Sequence, residues 1–299
     1  MTAVTAPPGA LGRTTATPPL RPPRRRKESV LFFVARHSIA IAIAVCALAP
    51  VLFVVLTSFM TPQQSLSSNY LPTSWHPENY ADVFRKLDMT RFLLNTIMYA
   101  GLTTAFMLIS SIPAAYGLAK LRWRGRTFVF LVIICMMLLP PQITTVPMYL
   151  VWADFHLTGS LWPLILPNLL GDAFSIFLLR QFMVTIPDEY LDAARVDGAG
   201  EWKTLLRVIM PMARPGIAAT AMFMFLLCWN DYYGPFLYTS ENSSNWTLAL
   251  GLASFRGLHN IEWNLITAGT VITIIPVIVL FFFAQKAFVQ GITLTGVKG

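Results

Sequence analysis

Long runs without a single Asp, Glu, Lys or Arg dominate the pattern of this chain: 37–77, 92–119, 127–153, 155–171, 215–230 and 263–285. Apolar residues are continuous within them rather than alternating, which argues against the ten-residue alternating strands of a membrane barrel. About 20 such residues cross a bilayer core as a helix. The pattern predicts six spanning helices, near 37–59, 92–119, 127–151, 161–183, 214–237 and 265–287, the fourth and fifth each carrying one acid, Asp172 and Asp231. The expected fold class is an all-α integral membrane protein with six transmembrane helices. Prolines at 50, 113, 140, 141 and 276 lie inside or at the ends of these spans and predict kinked helices.

Composition agrees with a lipid bilayer as the main solvent, since 55% of the 299 residues are hydrophobic and only 12% charged. The net charge of +8 is distributed unevenly. With both termini on one side of the membrane, that side carries 18 of the 22 Lys and Arg residues; the other has Arg85, Lys86, Arg91 and Arg256. Cationic loops stay in the cytoplasm, so both termini and the loop 184–214 are expected there. Headgroup attraction accounts for Arg24-Arg25-Arg26-Lys27, and no nucleic acid is expected as a partner.

Residues 1–30 are rich in Pro, Ala, Thr and Arg and are expected to be a disordered cytoplasmic tail; residues 31–299 form the membrane domain. The three cysteines fall in separate spans and are expected to be small buried apolar residues. Outside, residues 60–91 are rich in turn signals and end in a short amphipathic stretch around Tyr80–Leu87. Trp246, His259 and Trp263 are expected near a membrane interface.

The loop 184–214 is the one long charged stretch between apolar runs in the C-terminal half. Thr185-Ile186-Pro187-Asp188 is a helix start, with a hydroxyl to accept orphan amides, a proline in the first turn and acids at the positive end of the dipole. A helix is expected from about Pro187 to Asp197, ended by Gly198. Trp202, Leu205, Leu206 and Ile209 then share one apolar helical face; Pro211 stops that helix and Pro215 starts the fifth span. Ala193 and Ala194 leave the first helix flat enough for another protein to approach its backbone. Two helices so short need something to dock against.

Asp192-Ala193-Ala194, Gly198, Leu205 and Pro211 stand at the offsets of the Glu-Ala-Ala signature loop, and the chain resembles the membrane permeases of ATP-driven, binding-protein-dependent importers. The first position carries Asp where the family usually has Glu. Phe177–Phe182, Trp229-Asn230-Asp231-Tyr232 and the ending Gly291–Gly299 resemble the maltose-type branch that carries sugars, so the likeness covers roughly residues 30–299. The resemblance implies the type I importer permease fold in a bacterial inner membrane. It implies as partners a second related permease, a cytoplasmic ATPase dimer and an extracytoplasmic sugar-binding protein. Residues Glu189, Asp192, Ala193, Ala194, Asp197, Gly198, Leu205 and Pro211 would meet the ATPase, which would hold the ATP and Mg; no cofactor is expected in this chain.

Gly-Lys occurs nowhere, so the usual phosphate loop is absent, and the four histidines are scattered with no zinc or nucleophile motif. No enzyme chemistry and no metal site are expected. Asp172, Asn230, Asp231 and Tyr232 are candidates for the translocation path, because an acid inside a membrane is costly and aromatic rings stack on sugar faces. A polyol or glycerophosphodiester permease is the alternative, and a membrane scaffold a more remote one.

Overall fold

The computed structural model describes residues 30–67, 70–255 and 261–296. The tail expected over residues 1–30, apart from Val30, lies outside the described residues, as does His259. Two units divide the chain, 1–49 and 50–299. Helix α1 (Val30–Thr57) begins in the first and ends in the second, with Pro50 inside it. All further elements belong to the second unit.

After α1 come a one-turn helix α2 (Pro62–Ser65) and the amphipathic α3 (Glu78–Lys86), close to its expected place. Helix α4 (Met89–Ala119) is the long spine: the Asp88 carboxylate accepts the Arg91 N–H at 3.2 Å to start it. Helices α5 (Arg126–Met137) and α6 (Pro141–Asp154) follow, then α7 (Trp162–Ile165), a 3-10 turn at Leu166–Leu170 and α8 (Ala173–Val184). Asp172 starts α8 by accepting the Ser175 N–H at 2.7 Å. Helix α9 (Glu189–Val196) leads to a continuous helical run, Glu201–Met212, made of α10 (Glu201–Thr204), a π-turn at Leu205–Ile209 and α11 (Met210–Met212). The chain ends through α12 (Arg214–Trp229), α13 (Tyr233–Thr239), α14 (Leu248–Ala253) and α15 (Trp263–Gly296).

Among the described residues, four helical stretches are long and apolar enough to cross a membrane, and up to six if each of two bent pairs counts as one. Two expected spans differ from their prediction. The third, 127–151, is broken: α5 and α6 meet at 92°. Pro141 pushes the residue before it to extended backbone, and Pro140 adopts φ −61°, ψ 129°, which no helix can continue. The fifth, expected over 214–237, is helical only to Trp229. There the chain leaves the helix, and the Asp231 carboxylate accepts the Gly234 N–H at 3.0 Å to begin α13.

Three buried clusters line up along α4. Met89 and Phe92 pack with Val83, Trp229 and Leu265 at one end; Tyr99 and Met107 pack with Ile165 and Met224 in the middle. Ala115, Tyr116 and Leu118 pack with Leu179, Leu191 and Ile209 at the other end. Lipid tails are as apolar as leucine, so close packing and internal polar ties, rather than escape from water, hold such helices together. Ser110 donates to the Asn168 carbonyl at 2.8 Å, and Thr96 accepts the Leu248 N–H at 2.9 Å. Helices α5 and α6 bury none of their residues within the chain. Cys135, on α5, is therefore exposed together with Cys46, and only Cys228 is buried as expected.

Candidate functional site

Helix α9 and the run from Glu201 form a hairpin turned by Gly198 at φ +73°, a left-handed conformation that costs a side-chain-bearing residue energy. Its start differs from expectation: Thr185 does not cap it, but donates back to the Phe182 carbonyl at 2.7 Å. Asp188 takes a different partner as well. The ammonium of Lys120, whose side chain is 3% exposed at the end of α4, reaches the Asp188 carboxylate at 2.7 Å and also donates to the Ile186 carbonyl. That hydrogen bond and the charge behind it hold the Asp188 carboxyl below the usual aspartate range, so Asp188 is a carboxylate at neutral pH.

A second tie lies one turn back along α4, where the Tyr116 hydroxyl donates to Glu201 Oε2 at 2.5 Å. Glu201 also receives Arg195 at 3.2 Å through Oε1, and Arg195 reaches Asp192 at 3.4 Å. A pocket of about 570 Å³ lies between this network and the turn after α4, lined by Lys120, Arg122, Trp123, Asp188 and Glu201 among others.

The expected loop residues separate by face. Leu205 is buried with Leu191 against α4 and α8, Ala194 is also buried, and Pro211 is half-buried. Glu189, Asp192, Ala193, Asp197 and Gly198 are exposed. Ala193 alone therefore presents the flat outer surface expected of both alanines, because neighbours on a helix point about 100° apart. The expected apolar face of the second helix divides likewise. Leu205 and Ile209, at the two ends of the π-turn, point inward, while Trp202 and Leu206 are 69% and 57% exposed. Tyr190 and Val196 join them on the outer surface at 50% and 88% exposure.

A cleft of about 830 Å³ lies between α4, α8 and α12, and Tyr99, Thr103, Asn168, Asp172, Met224 and Asn230 are among its lining. Asp172 and Asn230 thus share a cavity. Asp231 turns instead to the Tyr99 hydroxyl, which donates to its Oδ2 at 2.9 Å. Tyr232 stacks on Phe236 at 5.5 Å and lines a separate hollow with Leu252 and Ile266. Trp246 points its indole N–H at the Thr239 carbonyl, 3.0 Å away.

Lys120, Tyr116 and Tyr99 were not candidates by sequence. A signal existed for two of them: Tyr116 and Lys120 stand i, i+4 at the end of a charge-free run, on one helical face. Nothing local pointed to Tyr99, whose partner is 132 residues away.

These features define a membrane permease with the fold of type I ABC importers. A family model described as binding-protein-dependent transport system inner membrane component matches residues 108–294, and the chain belongs to that family. The diacetylchitobiose uptake system permease protein NgcG of Streptomyces coelicolor is 28% identical over 88% of this chain and 88% of its own. The arabinooligosaccharides transport system permease protein AraQ of Halalkalibacterium halodurans is 28% identical over 92% of this chain and 100% of its own. A subunit of a bacterial ABC transporter involved in the import of the acidic polysaccharide alginate superposes with a TM-score of 0.75, at 24% identity, over 89% of this chain and 100% of that one. The chain is a transporter subunit, not an enzyme.

Proposed function

We propose that this chain is one of two membrane subunits of a carbohydrate importer in a bacterial inner membrane, with both termini and the loop 184–214 in the cytoplasm. It forms half of the translocation path with a second, related permease. A pair of cytoplasmic ATPases binds the ATP and Mg and grips the hairpin through its outer surface, where Tyr190, Val196, Trp202 and Leu206 are exposed around Ala193. An extracytoplasmic binding protein delivers the sugar. Closure of the ATPases moves the hairpin and rocks the spans between inward-open and outward-open states.

The observation that carries the substrate class is that relatives matching 88% and 92% of the chain are named for oligosaccharides. The 830 Å³ cleft supports it, with Asp172 and Asn230 as hydroxyl-binding groups on a mostly apolar wall. Reconstitution of the chain with its partner permease, ATPase and binding protein tests this: labelled oligosaccharide is taken up only with ATP and all subunits present. Uptake by the chain alone, or transport of glycerol phosphates in preference to sugars, overturns it.

A further inference from the structure

Helix α4 connects the two candidate sites. Its far end carries Lys120 and Tyr116, bonded to the hairpin; its middle carries Tyr99 and Thr103, which line the cleft. From Tyr99 to Lys120 the helix is about 30 Å long at 1.5 Å per residue. The hairpin is joined through the chain to α8 and α12, so its motion passes to those two without further help. Its covalent route to α4 is indirect, running back through α8, α7, α6 and α5.

We propose that Lys120 and Tyr116 are positioning residues that clamp the hairpin to α4 and make that helix a third lever, carrying hairpin motion to the Tyr99–Asp231 contact beside the cleft. The inference rests on the coupling role proposed above for the hairpin. The two attachments have different partners. Lys120 holds the start of α9 through Asp188 and the Ile186 carbonyl, while Tyr116 holds the start of α10 through Glu201. Leu191, Leu205 and Ile209 already pack against this end of α4, and two separated polar points add a fixed direction to that non-directional apolar contact. Burial makes the Lys120 attachment stiff: a buried ammonium must keep its partners, because releasing them would leave a desolvated charge. Arg195 holds Glu201 from the other side, which keeps the Tyr116 acceptor in place.

The test is the ratio of sugar taken up to ATP hydrolysed, measured on the complete transporter in proteoliposomes. Tyr116→Phe removes one hydroxyl and leaves the ring packed; Asp188→Asn weakens the Lys120 attachment while leaving the Ile186 bond. Each lowers the ratio two- to threefold, and Tyr116→Phe with Lys120→Met lowers it about tenfold in assembled complex, since three hydrogen bonds, each with an ionised member, are lost. ATP hydrolysis continues while uptake fails, a split that general loss of folding would not produce. Trp202→Asp, on the outer surface, is the control for the coupling role itself. If it lowers the ratio and the clamp variants do not, the clamp is wrong and the hairpin's role stands. If none changes the ratio, both fall.

Discussion

Gly198 shows how one backbone angle decides which substitutions a loop accepts. A Cβ added there would meet no heavy atom within 4 Å, so space is not the constraint; the angle, φ +73°, is. A β-branched residue in that conformation costs on the order of 1–3 kcal/mol, whereas Asn tolerates it. Gly198→Val is therefore expected to reduce coupled uptake about fivefold or more, and Gly198→Asn to stay close to the parent, with transport assays at equal membrane abundance as the check. At the same scale, Asp188 has the local setting of a helix-dipole acid, and in the fold it is the acceptor for a buried ammonium. Its local sequence was compatible with both roles.

At the scale of elements, packing depends on how closely two helices approach. Helices α8 and α12 meet where Gly216 faces Phe182: a Cβ on Gly216 would lie 2.4 Å from the Phe182 Cγ and 2.8 Å from its Cβ. The obstacle includes the fixed root of the side chain, so rotation of the ring alone does not relieve it. Gly216→Ala is expected to destabilise the protein by about 1–3 kcal/mol, seen as a lower midpoint of thermal unfolding in detergent. Ala219→Gly, one turn further along α12, should be milder because it removes volume instead of forcing a clash. The bent pair α5 and α6 shows the other determinant of an element, its breaks. Two successive prolines redirect the chain by 92°, where apolar content alone reads as one straight span.

Across the whole molecule, charge and exposure make one claim about orientation. Val196 is 88% exposed in the hairpin and Leu71 is 69% exposed before α3, on what the charge asymmetry makes opposite sides of the membrane. In a variant without native cysteines, a membrane-impermeant maleimide added to intact cells should modify Leu71→Cys and leave Val196→Cys unmodified until the membrane is opened. The reverse pattern would invert the topology and remove the hairpin from any cytoplasmic ATPase. The exposed apolar surfaces of α5 and α6, meanwhile, are what a chain that lives among lipids presents when seen alone.

The linear pattern by itself determined the solvent, the helical content, the place of the hairpin and its turn at Gly198. Each of these depends on neighbours within a few residues: a charge-free run long enough for a bilayer, or a glycine closing a short amphipathic helix. The offsets of Asp192-Ala193-Ala194, Gly198 and Pro211 added the family resemblance. The tertiary structure alone decided which alanine faces the core, that Asp231 turns to Tyr99 while Asp172 and Asn230 share a cleft, and that Lys120 reaches across 68 residues to Asp188. Those outcomes depend on which helices come to lie side by side. A one-dimensional hydrophobic pattern records that a residue prefers lipid or water, but carries no term for the distant polar atom that packing brings within hydrogen-bonding reach.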